Sequence, residues 1–197
     1  MENSIIVMDD IVPNWLQEQC EASLPHQPIK FGQKGFTQTW PDMNELPWEL
    51  KALWCAISYR RHDIKAKIPL FGKAGFLTLL NVQANMSTEE HYPDLVAMDE
   101  PYDVDGRGKM VYSDKSNFAV YYMLQGDSGM EFYHRDGTTK FQTVDFKKGR
   151  CVIFPARTVH KEIKPKELTP RFSVCYLFTG LYACLLYTSP SPRDLST

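Results

Sequence analysis

Residues 145 to 178 decide the fold: Asp145-Phe-Lys-Lys-Gly149-Arg-Cys-Val-Ile-Phe-Pro155-Ala-Arg-Thr-Val-His160, then, further on, Arg171-Phe-Ser173-Val-Cys-Tyr-Leu-Phe178. A glycine turn leads into a short apolar strand that ends at a proline, and His160 follows five residues after that proline. Arg171 and Ser173 open another strand and, being two residues apart, they share one face of it. A histidine and an arginine on neighbouring strands can hold a metal and an anionic ligand side by side.

Length and composition predict one globular domain. The chain has 197 residues, 43% of them hydrophobic, and a formal net charge of −2. This length can bury a substantial core, and this composition excludes general disorder. The small net charge gives no basic field, so a nucleic-acid partner is not indicated. The N-terminus does not read as a signal peptide, and no apolar run approaches the ~20 residues that span a bilayer, so we expect no membrane partner.

The cysteines predict a reducing compartment. There are five, at positions 20, 55, 151, 175 and 184, with the spacing of neither a zinc site nor a disulfide framework. Cys151 and Cys175 lie in apolar strand patterns, so we expect them to be buried free thiols. The predicted location is the cytoplasm.

The first third of the chain predicts two helices that flank a sheet. After a short strand at residues 5 to 8, Pro13 is placed to open a helix that continues to residue 24. A second helix is predicted from Pro47 to about Arg60. Its expected buried face consists of Trp48, Leu50, Leu53, Trp54 and Ile57.

The hydrophobic period changes to two after Gly75. From Leu79 onward, amide side chains fall on one strand face, at Asn81, Gln83 and Asn85, and apolar ones on the other. Such an amide row either lines a polar cavity or faces water. We favour the cavity, which makes Asn81 and Gln83 candidate ligand-binding residues.

The rest of the chain predicts a β fold. Residues 86 to 117 are acidic and turn-rich and are predicted to be a lid or binding loop. Strands are predicted at about 118–124, 129–134, 139–146, 150–155 and 171–179, joined by tight glycine turns. We therefore predict a mainly β fold with flanking N-terminal helices (α+β), a double-stranded β-helix or jelly roll, in a single domain over residues 1–180. Residues 181–197 are predicted to be a non-native or disordered tail.

The motif around His160 and Arg171-x-Ser173, with the hairpin formed by residues 117–124 and 128–133, resembles the 2-oxoglutarate/Fe(II)-dependent dioxygenases, in particular the prolyl 4-hydroxylase-like members of bacteria and phages. The resemblance implies that His160 is the distal iron ligand and that Arg171 and Ser173 bind the far carboxylate of 2-oxoglutarate. Tyr122, on the central strand, either adds another hydroxyl donor or is a core aromatic.

The same resemblance implies the cofactors and the reaction. Fe(II) is the metal, and 2-oxoglutarate and O₂ are the co-substrates. Decarboxylation of 2-oxoglutarate to succinate accompanies hydroxylation of a small-molecule or peptidyl substrate that the sequence does not specify. A phage-like protein of this kind acts in the cytoplasm of an infected bacterial host.

The other two metal ligands have two candidate motifs. In the family they come as His-x-Asp or His-x-Glu before the central hairpin, where this chain has His91-Tyr-Pro-Asp94, one residue longer. A literal His-x-Asp occurs at His134-Arg-Asp136, but Asp136-Gly137 has a sufficient structural reason as a tight turn. We favour His91, Asp94 and His160 as the metal-binding and catalytic set.

Two other functions compete with an oxygenase. The spacing from Gly149 through Pro155 to His160 also resembles the second cupin motif, although Arg157 and Lys164 depart from its glycine and asparagine. A cupin-type metal-binding protein leaves the Arg-x-Ser pair unexplained. The third possibility is a non-catalytic jelly roll, viral structural or carbohydrate-binding, for which 13% aromatic residues would suit sugar stacking.

Overall fold

The structure is a computed structural model that describes residues 5–26, 30–32, 35–40, 43–60, 74–87, 102–104, 110–112, 117–156, 158–166 and 170–182. Its helices are α1 (Asn14–Ser23) and α2 (Trp48–Tyr59), with short 3-10 turns at Leu24–His26 and Met43–Glu45. The strands, in chain order, are β1 (Ile6–Met8), β2 (Lys30–Gly32), β3 (Gly35–Trp40), β4 (Ala74–Ser87), β5 (Tyr102–Val104), β6 (Met110–Tyr112), β7 (Asn117–Gln125), β8 (Met130–Tyr133), β9 (Lys140–Val144), β10 (Cys151–Pro155), β11 (Val159–Glu162) and β12 (Arg171–Tyr182).

The strands form a large and a small antiparallel sheet. The large sheet has seven strands in the order β1-β10-β7-β12-β4-β3-β2, and the small sheet has three, in the order β11-β8-β9. Strands β5 and β6 pair separately. Apolar side chains from both sheets form one buried cluster, so the sheets face each other. The predicted double-stranded β-helix with flanking helices is confirmed.

The large sheet is covered on both faces. One apolar cluster lies between it and the helices, and a second lies between it and the small sheet. Strand β10 contributes alternately to the two, with Cys151 and Ile153 toward the helices and Val152 and Phe154 toward the small sheet. Strands buried on both faces read as continuous apolar runs, which explains why the central strands show no alternation in the sequence.

Helix α2 packs on the outer face of the large sheet. The ring of Trp54 stacks on that of Tyr176 at 5.3 Å, and the Tyr176 hydroxyl donates to the Leu50 carbonyl at 3.0 Å. Leu50, Leu53, Trp54 and Ile57 are buried as predicted, but the prediction for Trp48 is wrong, because its side chain is 56% exposed. At about 100° per residue, Trp48 lies on the opposite side of the helix from the buried four.

Several element boundaries differ from the prediction. Strand β11 was not predicted, β5 and β6 fall inside the predicted loop, and β12 continues to Tyr182. Residues 183–197, most of the predicted tail, lie outside the described residues. Cys151 and Cys175 are buried free thiols, as predicted. None of the helices in the described ranges is long and apolar enough to cross a bilayer.

An ion-pair clamp ties the end of β1 to the turn before β10. The Arg150 guanidinium donates to both Asp9 carboxylate oxygens, at 2.8 and 2.9 Å, and Lys147 Nζ lies 3.2 Å from the same carboxylate. The hydrogen bonds from Arg150 lower the pKa of Asp9 from 3.8 to about 2. The clamp is therefore charged in the folded protein down to low pH.

The Asp9 clamp predicts a defined acid sensitivity. A carboxyl group whose folded pKa is depressed stabilises the protein above its unfolded pKa and loses that contribution as the pH falls through the folded value. Asp9→Asn should therefore cost up to about 1 kcal/mol at neutral pH, and its difference from the wild type should vanish between about pH 5 and pH 2. Urea unfolding across this range measures it. Asp10→Asn, whose side chain is 82% exposed, is the control. A difference that does not change with pH would contradict the assignment.

Gly129 opens β8 where no larger residue fits. A Cβ at this position would lie 1.9 Å from the Val144 carbonyl oxygen and 2.9 Å from the Phe146 nitrogen. The Gly129 carbonyl also accepts a hydrogen bond from the Ile163 amide at 3.0 Å, just after β11. The close approach therefore holds β8, β9 and the end of β11 together.

Gly129→Ala should lower the free energy of unfolding by at least about 2 kcal/mol, because the backbone of the facing strand has to move. Chemical denaturation measures the change. Gly137→Ala is the matched control, since its φ of +70° is unfavourable for alanine but no atom lies within 4 Å of the added Cβ. A loss no larger than that of the control would contradict the packing argument.

Candidate active site

His160 lies in the middle of β11, on the face of the small sheet that is turned toward the large sheet. It is paired in register with Phe132, and only 2% of its surface is exposed. A tight turn, closed by a 2.8 Å hydrogen bond from the Thr158 amide to the Pro155 carbonyl, moves the chain from β10 in the large sheet to β11 in the small one. The turn after β10, which ends at Pro155, thus places His160 in the space between the sheets.

The histidine ring is oriented by hydrogen bonds at both nitrogens. Nδ1 lies 2.9 Å from the Thr158 carbonyl oxygen, and Nε2 lies 3.4 Å from the Tyr121 hydroxyl. Because a carbonyl oxygen only accepts, Nδ1 carries a proton, and in the matching tautomer Nε2 is the acceptor nitrogen. This is the arrangement usual for a metal-binding histidine, in which the remote nitrogen fixes the ring and the other binds the ion.

Aromatic rings from both sheets surround the imidazole. Ring centroids lie 4.9 Å away for Phe154, 5.5 Å for Tyr121 and 6.4 Å for Phe132. Phe154 and Tyr121 belong to the large sheet and Phe132 to the small one. The histidine therefore sits in a mostly apolar enclosure with one hydroxyl directed at it.

Arg171 and Ser173 lie at the start of β12, on the inner face of the large sheet. Ser173 pairs with Met123, and Cys175 pairs with Tyr121. Directly opposed residues of antiparallel strands share a face. Since Tyr121 contacts His160, this is the face turned toward the histidine, and both Arg171 and Ser173 are only 1% exposed.

Among the described residues, the Arg171 guanidinium forms an ion pair with Glu162. Its Nη1 lies 2.5 Å from Oε2 of Glu162, and the Ser173 hydroxyl donates to the other carboxylate oxygen at 3.4 Å. Among the described residues, neither Nε nor Nη2 of Arg171 has a hydrogen-bond partner. A buried guanidinium whose remaining N–H donors need an acceptor is typical of an anion-binding site.

Gly126 allows the close approach of β7 to Arg171. It has a φ of +136°, and a Cβ there would lie 3.1 Å from Cγ of Arg171. Only glycine adopts this backbone conformation without strain. The glycine turn after β7 therefore also supports the arginine side chain.

The structure favours the core interpretation of Tyr122 over the ligand-binding one. Its side chain is buried in the cluster between the large sheet and the helices, with Val120 and Leu124. That is the opposite face from Arg171 and Ser173, and burial raises the pKa of its hydroxyl well above the ordinary value. Tyr122 is thus the core aromatic, and the inward-facing tyrosine is its neighbour Tyr121.

The backbone register of β4 defines the pairing of the three amide positions. Asn85 pairs with Ser173 and Gln83 with Cys175, while Asn81 pairs with Leu177. Val82 and Ala84, the alternating neighbours, belong to the cluster under the helices. By the alternation of a strand, positions 81, 83 and 85 lie on the same face of the sheet as Ser173. Their role as ligand contacts remains a prediction.

The two candidate metal motifs have different outcomes. His91 and Asp94 lie outside the described residues, so their role remains a prediction. His134 and Asp136 are exposed in the turn between β8 and β9. Asp136 accepts hydrogen bonds from the amides of Thr138 and Thr139, at 2.9 and 2.8 Å, as expected for a structural turn residue. Within the described ranges, no group of three His, Cys, Asp or Glu side chains is placed to hold a metal.

Sequence reasoning missed Tyr121 and Glu162. Both faces of β7 are apolar, so alternation alone does not say which tyrosine points inward. Glu162 is two residues after His160 and shares its strand face, a signal that was present in the sequence. It was overlooked because β11 was not predicted as a strand.

The Arg171–Glu162 pair predicts a measurable coupling. Arg171→Met leaves the largely buried Glu162 carboxylate without its ion-pair partner. The double variant, Arg171→Met with Glu162→Gln, removes both charges. It should therefore lose less stability than the sum of the losses in the two single variants. We expect a coupling energy of at least about 1 kcal/mol from a double-mutant cycle by urea unfolding. The exposed pair Lys140–Glu131, at 2.8 Å, is the control cycle, with a smaller coupling. Effects that add within about 0.5 kcal/mol would contradict the pair.

Comparison of the sequence with protein-family models and with curated proteins finds no match. Solved structures do match. An oxidoreductase of the 2OG-Fe(II) oxygenase family from Burkholderia pseudomallei is 11% identical, with 91% of this chain and 85% of that chain covered and a TM-score of 0.62. A prolyl-4-hydroxylase from Pseudomonas putida is 12% identical, with 90% and 93% covered and a TM-score of 0.60.

The third comparison is with an epimerase, SnoN, in complex with Fe³⁺, alpha ketoglutarate and nogalamycin RO. It is 14% identical, with 90% of this chain and 79% of that chain covered and a TM-score of 0.58. At these identities the likeness concerns the fold. The chain therefore has the double-stranded β-helix fold of the 2-oxoglutarate and Fe(II)-dependent oxygenases, and the resemblance seen in its sequence is confirmed at that level.

Proposed function

We propose that the protein is a 2-oxoglutarate- and Fe(II)-dependent oxygenase that hydroxylates its substrate while 2-oxoglutarate is converted to succinate. One observation carries the proposal. Buried Arg171 and Ser173 lie on the inner face of one sheet, and buried His160, with its Nε2 lone pair, lies on the inner face of the other. An anion site and a metal-binding nitrogen thus share one enclosure.

Arg171 and Ser173 suit a carboxylate. A guanidinium offers parallel N–H donors that match the two carboxylate oxygens, and a serine hydroxyl adds a third donor. Arg171 and Ser173, both 1% exposed and on one face of β12, supply these donors. A five-carbon diacid has four carbon–carbon bonds of about 1.5 Å and carries a carboxylate at each end, so it offers one end to the arginine and the other to a metal.

His160 suits the metal. Its Nδ1 is fixed by the Thr158 carbonyl, and Nε2 is the nitrogen that would bind an ion. We propose His91 and Asp94 as the other two protein ligands, since two histidines and one carboxylate are the usual set for Fe(II) in oxygenases. Fe(II), when bound, supplies the activation of O₂ that is coupled to decarboxylation of 2-oxoglutarate.

The remaining residues position the reactants and exclude water. Phe132 and Phe154 line the space around His160, and a closed apolar site protects a reactive oxidant from side reactions. Asn81 and Gln83 are proposed ligand contacts, and residues 86–117 a proposed lid. The neighbours with this fold include a prolyl hydroxylase and an epimerase, so the fold does not name the substrate, and we propose a small-molecule or peptidyl one.

Anaerobic titration of the purified protein with Fe(II) and 2-oxoglutarate tests the proposal. We expect a visible charge-transfer band that saturates at one equivalent per chain, because the co-substrate chelates the metal through its 2-oxo acid end. His160→Ala should abolish the band. His134→Ala is the matched control, since that histidine lies in an exposed turn. A wild-type protein without a band, or an unchanged band in His160→Ala, would contradict the proposal.

One observation favours a second candidate, a non-catalytic jelly roll. The protein's own Glu162 already pairs with Arg171, so the guanidinium has a counter-ion without any ligand. In that case the anion site is structural, and neither Fe(II) nor 2-oxoglutarate binds. The titration above separates the two.

A further inference from the structure

The strongest unexplained feature between the sheets is a carboxylate in the anion site. Glu162 Oε2 lies 2.5 Å from Nη1 of Arg171, and its Oε1 accepts from the Ser173 hydroxyl at 3.4 Å. These are the two residues to which the proposed function assigns the far carboxylate of 2-oxoglutarate. A side chain of the protein itself thus holds that position.

Glu162 shares the inner face of β11 with His160. The two are separated by one residue, so their Cα atoms are about 7 Å apart along the strand. The intervening Lys161 is paired with Glu131 on the outer face. One strand therefore presents the proposed metal ligand and the carboxylate to the same enclosure, at a spacing close to the length of a small diacid.

We propose that Glu162 is a resident competitor for the anion site, which 2-oxoglutarate has to displace from Arg171 and Ser173 in order to bind. The inference rests on the proposed function and specifies how the co-substrate site is controlled. Two carboxylates in place of one would crowd negative charge around a single guanidinium, so the glutamate leaves when the ligand enters. Glu162 is the last residue of β11, and its side chain is 12% exposed, so it lies at the edge of the enclosure.

This competition has a consequence for ligand choice. The apparent dissociation constant of a ligand rises in inverse proportion to the fraction of molecules whose site is open. A ligand held only by its carboxylate competes poorly with the Glu162 side chain, because that side chain belongs to the protein and is always at high local concentration. A 2-oxo acid that also bound a metal at His160 would have an additional contact with which to displace Glu162. Succinate lacks that contact, so the return of Glu162 favours release of the product.

Calorimetric titration of 2-oxoglutarate into the Mn(II)-loaded protein, and of succinate into the metal-free protein, tests the proposal. Glu162→Gln removes the competing charge and should bind both diacids at least about tenfold more tightly than the wild type. Glu131→Gln is the matched control. It removes a carboxylate from the outer face of the same sheet, where Glu131 accepts from Lys140 at 2.8 Å and from Tyr133 at 2.6 Å, and should leave both constants unchanged.

Glu162→Gln leaves Arg171 without its counter-ion and can impair folding, so Glu162→Asp is the second variant. It keeps the negative charge but withdraws the carboxylate by one methylene, and we expect a smaller gain in affinity of the same sign. A native near-UV circular dichroism spectrum qualifies each variant for titration.

The outcomes separate this inference from the proposed function. Tighter binding of succinate by the Glu162 variants supports the competition even if no charge-transfer band forms with Fe(II). A band in the wild type together with unchanged or weaker diacid binding in both Glu162 variants overturns the competition and leaves the oxygenase proposal standing. Absence of diacid binding in every variant overturns the competition as well, because a vacated Arg171 has to accept a carboxylate.

Discussion

The buried guanidinium of Arg171 is the constraint on which the rest of the site depends. An uncompensated charge in a protein interior costs several kcal/mol, so the fold has to provide an anion where the two sheets meet. Glu162 provides it from the small sheet, and Ser173 binds the same carboxylate from the large one. The ion pair thus links the two sheets, and it lies at the proposed anion site.

The architecture leaves this inner space available because the large sheet is stabilised from its other face. Helices α1 and α2 cover the outer face with a separate apolar core, in which Trp54 stacks on Tyr176. The inner face can therefore carry Arg171, Ser173 and the amide positions of β4 without loss of the main hydrophobic contribution to folding. The turn from Pro155 to Thr158 then sets His160 opposite them.

The sequence predicts the fold class well because turns and strand-length apolar runs are local signals. It marks His160, Arg171 and Ser173 as site residues through their spacing and the resemblance they carry. It expects the histidine and the arginine on neighbouring strands, whereas the structure has β11 and β12 in different sheets. It does not show which of Tyr121 and Tyr122 points toward the small sheet. Strand β7 is buried on both faces, so polar and apolar residues do not alternate along it. Glu162 was missed for a different reason. The short, charged β11 pairs with β8, over 25 residues earlier in the chain, and such a contact has no local signature.

A crystal structure of the protein with Mn(II) and 2-oxoglutarate tests this site most directly. We expect the far carboxylate of the ligand within hydrogen-bond distance of Arg171 and Ser173, Nε2 of His160 bound to the metal, and the Glu162 carboxylate displaced from the arginine. A ligand bound elsewhere, with the Glu162–Arg171 pair intact, would show that the pair is structural and that the space between the sheets is not a 2-oxoglutarate site.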